Sequence, residues 1–201
     1  MMSIESIPLE LPPNKIDHAK PMTQDEFFDF CQVDRKIRYE RTSQGELNVN
    51  SWLGGTAGFQ ALSVIVQLYG WAKSKGGGIA FPCSVGYVLP NGANRSPIGS
   101  WLSADQAARI TREQMKKFPH LCPYFVVELV SLADRFEKLL PKMEEYIANG
   151  CQLGWLIDPD NLQVHVYRPG QPVQVMDNPT SVSGDPELPG FVLEMEQVWR
   201  V

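Results

Sequence analysis

The chain has 201 residues, of which 43% are apolar and 20% charged, and this is typical of one ordinary domain with a sizeable core. The composition excludes collagen, coiled-coil and largely disordered chains. Eighteen Lys and Arg against 23 Asp and Glu give a formal net charge of -5. That charge argues against a protein that coats nucleic acid or membrane through bulk positive charge, but it leaves room for a local basic patch.

The cysteines and the amino end give no sign of export. The four cysteines, at positions 31, 83, 122 and 151, are far apart and lack zinc-ligand spacing, so we expect reduced thiols. Residues 1–21 contain acidic residues and four prolines, where a signal peptide would need a basic start and an apolar core. The longest apolar stretch, residues 61–72, is well short of the roughly 20 residues that cross a bilayer. We therefore expect a cytoplasmic protein without membrane contact.

The sequence pattern changes at about residue 21. Residues 1–21 form a proline-punctuated N-terminal arm without apolar periodicity, and we expect residues 22–201 to form a single domain. Thr23 and Glu26 have the spacing of a capping box. They predict a short helix at the start of the domain.

Residues 56–75 predict a helix that is apolar almost all round. Phe59, Leu62, Val66 and Tyr69 fall on one stripe, and other apolar residues occupy the remaining faces. Because a helix that is apolar on all sides is normally buried, we expect nearly all of it to be covered and to pack flat on a sheet.

The second half of the chain alternates strands and helices. Residues 125–130, apolar except for Glu128, predict a strand buried on both faces. A helix over residues 132–149 and strands over 153–157 and 164–167 predict a crossover followed by an antiparallel hairpin. Shorter runs predict strands at 47–49, 79–81, 85–89 and 99–102, and a basic helical segment over 109–117. The elements predict an α/β fold of the α+β kind, with a mixed central sheet flanked by helices.

Glu128 is the anomaly in this pattern. A carboxylate in a buried strand costs several kcal/mol unless a cation or hydrogen-bond donors compensate it. Metal ligation is a natural use of such a residue. A glutamate facing water on an edge strand, or a structural salt bridge, would account for it equally well from the residues alone.

Two groups of cations could accompany Glu128. Residues 35–41 place Glu40 among four cations, a composition suited to holding a phosphodiester beside a metal-binding carboxylate. A solvated helix face would have the same composition. Lys138 and Lys142 are four residues apart on the following helix and point to one side of it. One of them could reach a site, or their stems could lie on apolar surface with the ammonium groups in water.

Several familiar motifs are absent. The sequence contains no G-x-x-x-x-G-K-[ST], G-x-G-x-x-G, G-x-S-x-G or H-E-x-x-H, so we expect no nucleotide cofactor. The three histidines are isolated from one another and do not support a histidine metal site or a Ser–His pair.

From about residue 21 to its end, the chain resembles the Uma-type putative restriction endonucleases of the PD-(D/E)XK nuclease superfamily. The resemblance rests on the order and spacing of short pieces, none of which is specific by itself. The pieces are Met22-Thr23, Tyr39-Glu40-Arg41, Gly45-Glu46-Leu47, Arg95-Ser96-Pro97, Ser100-Trp101, Pro123, Val126-Val127-Glu128-Leu129, Ser131, Asp134-Arg135, Lys142-Met143, Tyr146, Gly150, Gly154-Trp155-Leu156-Ile157-Asp158-Pro159 and Leu188-Pro189-Gly190-Phe191.

The resemblance implies a divalent-metal site, with Mg²⁺ or Mn²⁺ as cofactor, that hydrolyses DNA phosphodiesters. It matches Glu128 to the acidic residue of the (D/E)-x-K element and Glu40 to the helical glutamate of the family, so both would be catalytic and metal-binding. Val130 stands where the superfamily pattern has lysine. The family moves that cation to the next helix, which makes Lys142 the matching catalytic residue.

The sequence departs from the family pattern at Ile98 and Tyr124, and Pro141 stands directly before the candidate lysine. Ile98 follows Pro97 where the family has Pro-Asp, and that Asp is the central metal ligand. Isoleucine has no lone pair to offer, so position 98 is a degenerate metal position, where metal affinity and catalysis should fall sharply. Tyr124 replaces a second Asp of many relatives, and we expect Pro141 to bend or interrupt the helix that presents Lys142.

Three hypotheses remain open. The first is an active, metal-dependent DNA endonuclease in which Arg35, Lys36 and Arg38 bind DNA phosphates. The second is a catalytically degenerate nuclease fold that binds DNA or a protein partner without cutting. The third is an acidic interaction domain that never touches nucleic acid. Glu46 or Asp105 could also have moved into the space vacated at position 98. Because restriction enzymes that cut both strands of a symmetric site are commonly dimeric, we expect a homodimer.

Overall fold

A computed structural model describes residues 22–33, 37–50, 53–131 and 136–200. The arm expected over residues 1–21 lies outside the described residues, and the single domain over 22–201 stays a prediction. No helix in the described ranges is long and apolar enough to cross a membrane. All four cysteines fall within these ranges, and each is a free thiol.

The described part of the chain forms five α-helices and twelve strands. The helices are α1 (Gln24–Val33), α2 (Gly55–Trp71), α3 (Ala104–Arg109), α4 (Phe136–Ala148) and α5 (Glu196–Trp199). The strands are β1 (Arg38–Arg41), β2 (Leu47–Asn50), β3 (Ile79–Pro82), β4 (Tyr87–Val88), β5 (Asn94–Arg95), β6 (Gly99–Leu102), β7 (Phe125–Leu129), β8 (Leu153–Asp158), β9 (Gln163–Tyr167), β10 (Gln174–Asp177), β11 (Ser181–Ser183) and β12 (Val192–Glu194). A π-helical turn, Ala72–Gly76, extends α2.

A six-stranded mixed sheet is the centre of the fold, in the order β10-β9-β8-β7-β6-β3. Strands β7 and β8 are parallel, with Glu128 opposite Leu156, and α4 makes the connection between them. Strands β8 and β9 form the antiparallel hairpin. The predictions of an α+β fold, a mixed sheet, the crossover and the hairpin are therefore confirmed.

A second, four-stranded sheet in the order β2-β1-β5-β4 carries Glu40. Its strand β1 pairs with β2, with Glu40 opposite Asn48. The alternative of a solvated helix face over residues 35–41 is wrong for the described residues 38–41, which form a buried strand. The expectation of a helical glutamate at position 40 is wrong for the same reason. Tyr39, Glu40 and Arg41 are all buried, because both faces of β1 are covered: Tyr39 and Arg41 contact Phe30 and Phe27 of α1 on one face. On the other face, Glu40 meets Lys142 of α4.

The capping box predicted at the start of α1 is confirmed. The Glu26 carboxylate accepts from the Thr23 N–H at 2.7 Å, and the Glu26 N–H donates to Thr23 Oγ1 at 3.2 Å. The basic helical segment predicted over 109–117 is wrong as a continuous element, since α3 ends at Arg109 and only a 3₁₀ turn, Gln114–Lys116, follows.

Helix α2 lies on β3 and β6 and also contacts β12 and α5, as the prediction of flat packing on a sheet requires. The expectation that nearly all of it is covered is wrong. The stripe of Phe59, Leu62, Val66 and Tyr69 is the exposed face, while Val64 and Leu68 on the inner face are buried.

Helix α4 runs without a break through Pro141, so the expected interruption is wrong. Its amphipathic face packs on β7, β8 and β9 and buries Leu139, Met143 and Tyr146. Side chains of β7 alternate between the two sides of the sheet, so Phe125, Val127 and Leu129 join the apolar cluster under α2. Val126 joins the cluster under α4, and Glu128 points to that same side.

Candidate active site

Three of the predicted site residues converge from distant parts of the chain. Glu40 lies on β1, Glu128 on β7 and Lys142 on α4. The Lys142 ammonium nitrogen lies 2.9 Å from Glu40 Oε1 and 2.7 Å from Glu128 Oε1. The side chains of Glu40 and Glu128 are buried, and that of Lys142 is 12% exposed. The alternative of a Glu128 that faces water is therefore wrong, whereas the alternative of a structural salt bridge agrees with these contacts. An ammonium group in water is wrong for Lys142, but Lys138 is exposed as that alternative requires.

Helix α4 supplies a second contact to Glu128. Tyr146 is one helical turn after Lys142, and its hydroxyl donates to Glu128 Oε1 at 3.0 Å. The two side chains share a face because residues four apart on a helix are neighbours. One oxygen of Glu128 therefore receives two donors from the same helix.

The chain between β5 and β6 holds Glu40 from the other side. The Ser96 backbone N–H donates to Glu40 Oε1 at 2.7 Å, and Arg95 Nη1 lies 3.5 Å from Glu40 Oε2. Arg95 Nε also donates to Glu145 on α4. Arg95 therefore links the glutamate of β1 to α4, and Glu40 is fixed by donors from three directions.

The charges of the cluster shift the pKa values of its members. Burial raises the pKa of Glu40, but the nearby Lys142 and Arg95 cations outweigh it and hold that pKa below the ordinary value. Burial, together with the charge of Glu40, raises the pKa of Glu128 despite Lys142. Burial alone would lower the pKa of Lys142, yet the two carboxylates raise it. Lys142 is therefore a permanent cation at neutral pH.

A small pocket opens beside Glu128 and Lys142, with a volume of about 40 Å³, room for a few water molecules. Glu40 is not part of its lining. Its polar lining includes Arg38, Ser96, Glu128 and Lys142. Ile98 forms part of the wall, and its buried side chain also belongs to the apolar cluster under α2. The full lining is Arg38, Asn50, Leu53, Ser96, Ile98, Glu128, Leu129, Ser131, Leu139 and Lys142.

The two carboxylates are the right kind of ligand for a divalent cation, but there are only two of them among the residues of this cluster. Glu40 and Glu128 are hard oxygen ligands of the kind that Mg²⁺ prefers, and Mg²⁺ sites often use one or two carboxylates plus water and phosphate. Within the described residues, no group of three acidic, histidine or cysteine side chains could hold a metal. Glu46 and Asp105 are exposed and absent from the pocket lining, so neither replaces the ligand missing at position 98.

Of the three residues predicted to bind DNA phosphate, one is described. Arg38 lines the pocket, and its Nη1 donates to the Cys83 carbonyl at 3.0 Å. Arg35 and Lys36 lie outside the described residues. Asn50 and Ser131 are neutral polar residues of the same pocket lining.

The sequence reasoning gave no role to Arg95 and Tyr146. A signal for Tyr146 was present, because it follows Lys142 by four residues on a predicted helix. Arg95 had no comparable signal, since its partners lie on β1 and α4, far away in sequence.

The chain is similar to a known protein family and to a protein of solved structure. The Uma2 family model, described as a putative restriction endonuclease, matches residues 24–196. A crystal structure of a putative nuclease of the DUF820 family from Anabaena variabilis ATCC 29413 superposes with a TM-score of 0.74. The two sequences are 22% identical, and the match covers 89% of this chain and 98% of that chain. At this identity the similarity establishes a common fold. No curated protein matches significantly.

Proposed function

Since the chain belongs to the Uma2 family of putative restriction endonucleases, we propose that it binds DNA at the pocket beside Glu128 and that Ile98 strongly reduces metal-dependent phosphodiester cleavage there. The observation that carries this proposal is the place of Ile98. It forms part of the wall of the pocket onto which Glu128 and Lys142 also open, at the position where the family pattern has an aspartate ligand.

The remaining carboxylates have a defined part in this function. Glu128, which lines the pocket, would hold the divalent cation together with Glu40, and the cation would supply water activation and neutralise phosphoryl charge. Lys142 remains protonated, because its raised pKa makes it a poor general base. It therefore acts as a fixed hydrogen-bond donor toward a phosphate oxygen and orients both glutamates.

Ile98 weakens the site in two ways. It supplies no oxygen ligand, so two carboxylates must hold a cation that dehydrates reluctantly. Both carboxylates also give an oxygen to Lys142, at 2.9 and 2.7 Å, and this ion pairing competes with the cation. The result is weak metal binding and slow cleavage.

Nicking of supercoiled plasmid in Mg²⁺ and Mn²⁺ tests the proposal. We expect Ile98→Asp to raise the rate by at least about 100-fold, since the loss of even an outer-shell partner typically costs 10–100-fold. Ile98→Asn, which is similar in size but uncharged, is the matched control and should give a much smaller gain. Adding Glu128→Gln to Ile98→Asp should abolish the gained activity.

A second candidate, a DNA-binding protein without any cleavage, is favoured by one observation. Lys142 already pairs with both carboxylates. Its positive charge compensates their negative charge, as it would have to in a site that holds no metal ion. Duplex binding by the unmodified protein, together with no nicking by Ile98→Asp, would establish this candidate. Equal cleavage by the unmodified protein and Ile98→Asp would contradict the proposed effect of Ile98.

A further inference from the structure

The outer face of α2 carries an uncovered apolar stripe, here called the α2 stripe: Phe59, Leu62, Val66 and Tyr69. Their side chains are 49%, 57%, 59% and 55% exposed. They follow one another at intervals of three, four and three residues, which places them on one face of the helix. The four residues therefore form a continuous surface rather than scattered exposed side chains.

The rest of α2 does not compensate for this exposure. No residue of Gly55–Trp71 is charged, whereas a surface helix normally carries charged residues opposite its buried face. The inner face is the one that packs on the sheet and buries Val64 and Leu68. Helix α2 is thus apolar on the covered side and on the uncovered side.

The α2 stripe is symmetric along the helix. Its centre lies opposite the buried Val64: Leu62 and Val66 are each two residues from it, and Phe59 and Tyr69 are each five. If the helix were turned end over end about that centre, an aliphatic residue would fall on an aliphatic residue and an aromatic residue on an aromatic one. A contact with two-fold symmetry requires this self-complementarity, since residue i must meet residue j while j meets i.

Two glycines flank the stripe with the same symmetry. Gly58 and Gly70 are each six residues from Val64, and a Cβ built on either would meet no described atom within 4 Å beyond its chain neighbours and the backbone of its own helix. A glycine inside a helix destabilises it by roughly 0.5–1 kcal/mol relative to alanine. Two glycines on an open helix face are therefore unexpected unless they have a function there. Glycines allow the backbones of two helices to approach closely.

We propose that the α2 stripe is the contact between two copies of this chain, with the two α2 helices antiparallel about a two-fold axis that passes opposite Val64. Phe59 meets the partner's Tyr69, and Leu62 meets the partner's Val66. The glycines let the helix backbones approach beside the aromatic residues. This inference depends on α2 alone and does not depend on DNA binding or cleavage.

The size of the stripe agrees with a helix pair at the centre of such an interface. With roughly 100 Å² exposed on each of four side chains, the stripe offers about 400 Å² of apolar surface, as large as the main patch of a typical monomer. A standard interface buries about 800 Å² on each partner. The stripe supplies half of that area as an uncharged centre, and the remainder would come from residues beside α2.

Sedimentation velocity of the full chain across a range of concentrations tests the proposal. We expect the unmodified protein to sediment as a dimer of 22.6 kDa chains and Val66→Glu to sediment as a monomer, because two glutamates would be buried near the axis. Leu62→Glu should act in the same way. Val175→Glu is the matched control: Val175 is a 46% exposed valine on β10, outside the stripe, and its substitution should leave the dimer intact.

Cross-linking tests the direction of the helices. Phe59→Cys and Tyr69→Cys chains, mixed after separate purification and oxidised, should give a disulfide-linked dimer. Neither variant alone should do so beyond the background given by the Val175→Cys chain. A parallel pairing would instead link each variant to itself.

Self-linking of both cysteine variants would overturn the antiparallel arrangement, and three further results would overturn the dimer contact itself. One is a monomeric unmodified protein at every concentration, and another is a dimer that survives both Val66→Glu and Leu62→Glu. The third is a dimer that Val175→Glu disrupts as much as they do. Because the substituted side chains are exposed, the variants should keep the far-ultraviolet circular dichroism of the parent, and this separates loss of the dimer from loss of the fold.

Discussion

Lys142 Nζ lies 2.7 Å from Glu128 Oε1, and both side chains are almost fully enclosed. Glu40 completes the arrangement at 2.9 Å from the same nitrogen. A buried carboxylate without a partner is far more costly than a paired one, so the two glutamates depend on this lysine. Any function of the pocket therefore rests on a charge cluster that also holds β1, β7 and α4 together.

The first prediction is that Lys142→Met lowers the free energy of unfolding by about 3–5 kcal/mol at pH 7, the usual cost of removing one partner of a buried ion pair. Methionine keeps most of the side-chain volume of lysine, so the loss of stability comes from the missing charge and not from a cavity. Urea denaturation measures this change in the free energy of unfolding. Adding Glu128→Gln should recover part of the loss, and a double variant at least as unstable as Lys142→Met would contradict this account.

The same variant should change the pH dependence of stability. Without Lys142, burial raises the pKa of Glu40 and Glu128 above their unfolded values. The folded state then binds more protons than the unfolded state, so stability rises as the pH falls toward the unfolded pKa of about 4.3. The deficit of Lys142→Met should therefore shrink between about pH 8 and pH 5. A deficit that is constant over this window would show that charge is not its cause.

The central layers of the fold were predictable because their patterns are long and regular. The apolar run of β7 and the helical period of α4 identify the crossover. Strands β4 and β5 have two residues each, too short for a period to show. The exposed stripe of α2 was missed for a different reason, since apolarity in sequence does not reveal whether a second copy covers the surface.

The sequence predicts which residues form the candidate site, but it does not predict which of them contact one another. Glu128 stood out as a charge in a buried strand, and Glu40 and Lys142 came from the family pattern. That Lys142 pairs with both glutamates, and that Arg95 ties Glu40 to α4, depends on distances between elements far apart in sequence. Composition and spacing carry no information about such distances.

The second prediction concerns Tyr146, whose hydroxyl donates to Glu128 at 3.0 Å. Tyr146→Phe removes that hydrogen bond without leaving a large cavity. It should lower the free energy of unfolding by about 1.5–3 kcal/mol, as expected for a hydrogen bond to a charged group. Tyr87→Phe is the matched control, because Tyr87 is equally buried but pairs with the neutral Ser100 hydroxyl at 2.7 Å. It should cost about 0.5–1.5 kcal/mol. Equal losses in urea denaturation would mean that Glu128 carries no charge in the folded protein.

The third prediction concerns the turn between α2 and β3. Gly78 has φ +64, and an added Cβ would overlap the Leu102 carbonyl oxygen. Gly78→Ala should therefore cost at least about 3 kcal/mol, from backbone strain and from displacement of β6. Gly92 also has a positive φ, +88, but open space around it, so Gly92→Ala should cost only about 1–2 kcal/mol. Thermal or urea unfolding that shows no difference between the two would rule out the close approach at Gly78.

The fourth prediction concerns DNA binding at the pocket rim. Arg38 is the described cation among the three predicted phosphate-binding residues, and it lines the pocket. Arg38→Ala should weaken binding to any duplex sequence alike, because a phosphate contact carries no sequence information. The slope of log affinity against log salt concentration should also fall by about one, since one counterion fewer is released.

Fluorescence anisotropy with a labelled duplex, from about 50 to 200 mM salt, measures both effects. Lys116→Ala is the matched control: Lys116 is an exposed cation paired with Glu113 at 2.8 Å and is absent from the pocket lining. Its removal lowers the net charge equally and should leave the slope unchanged. If both substitutions reduced the slope to the same extent, binding would follow overall charge, and the pocket rim would not be the place where DNA phosphates bind.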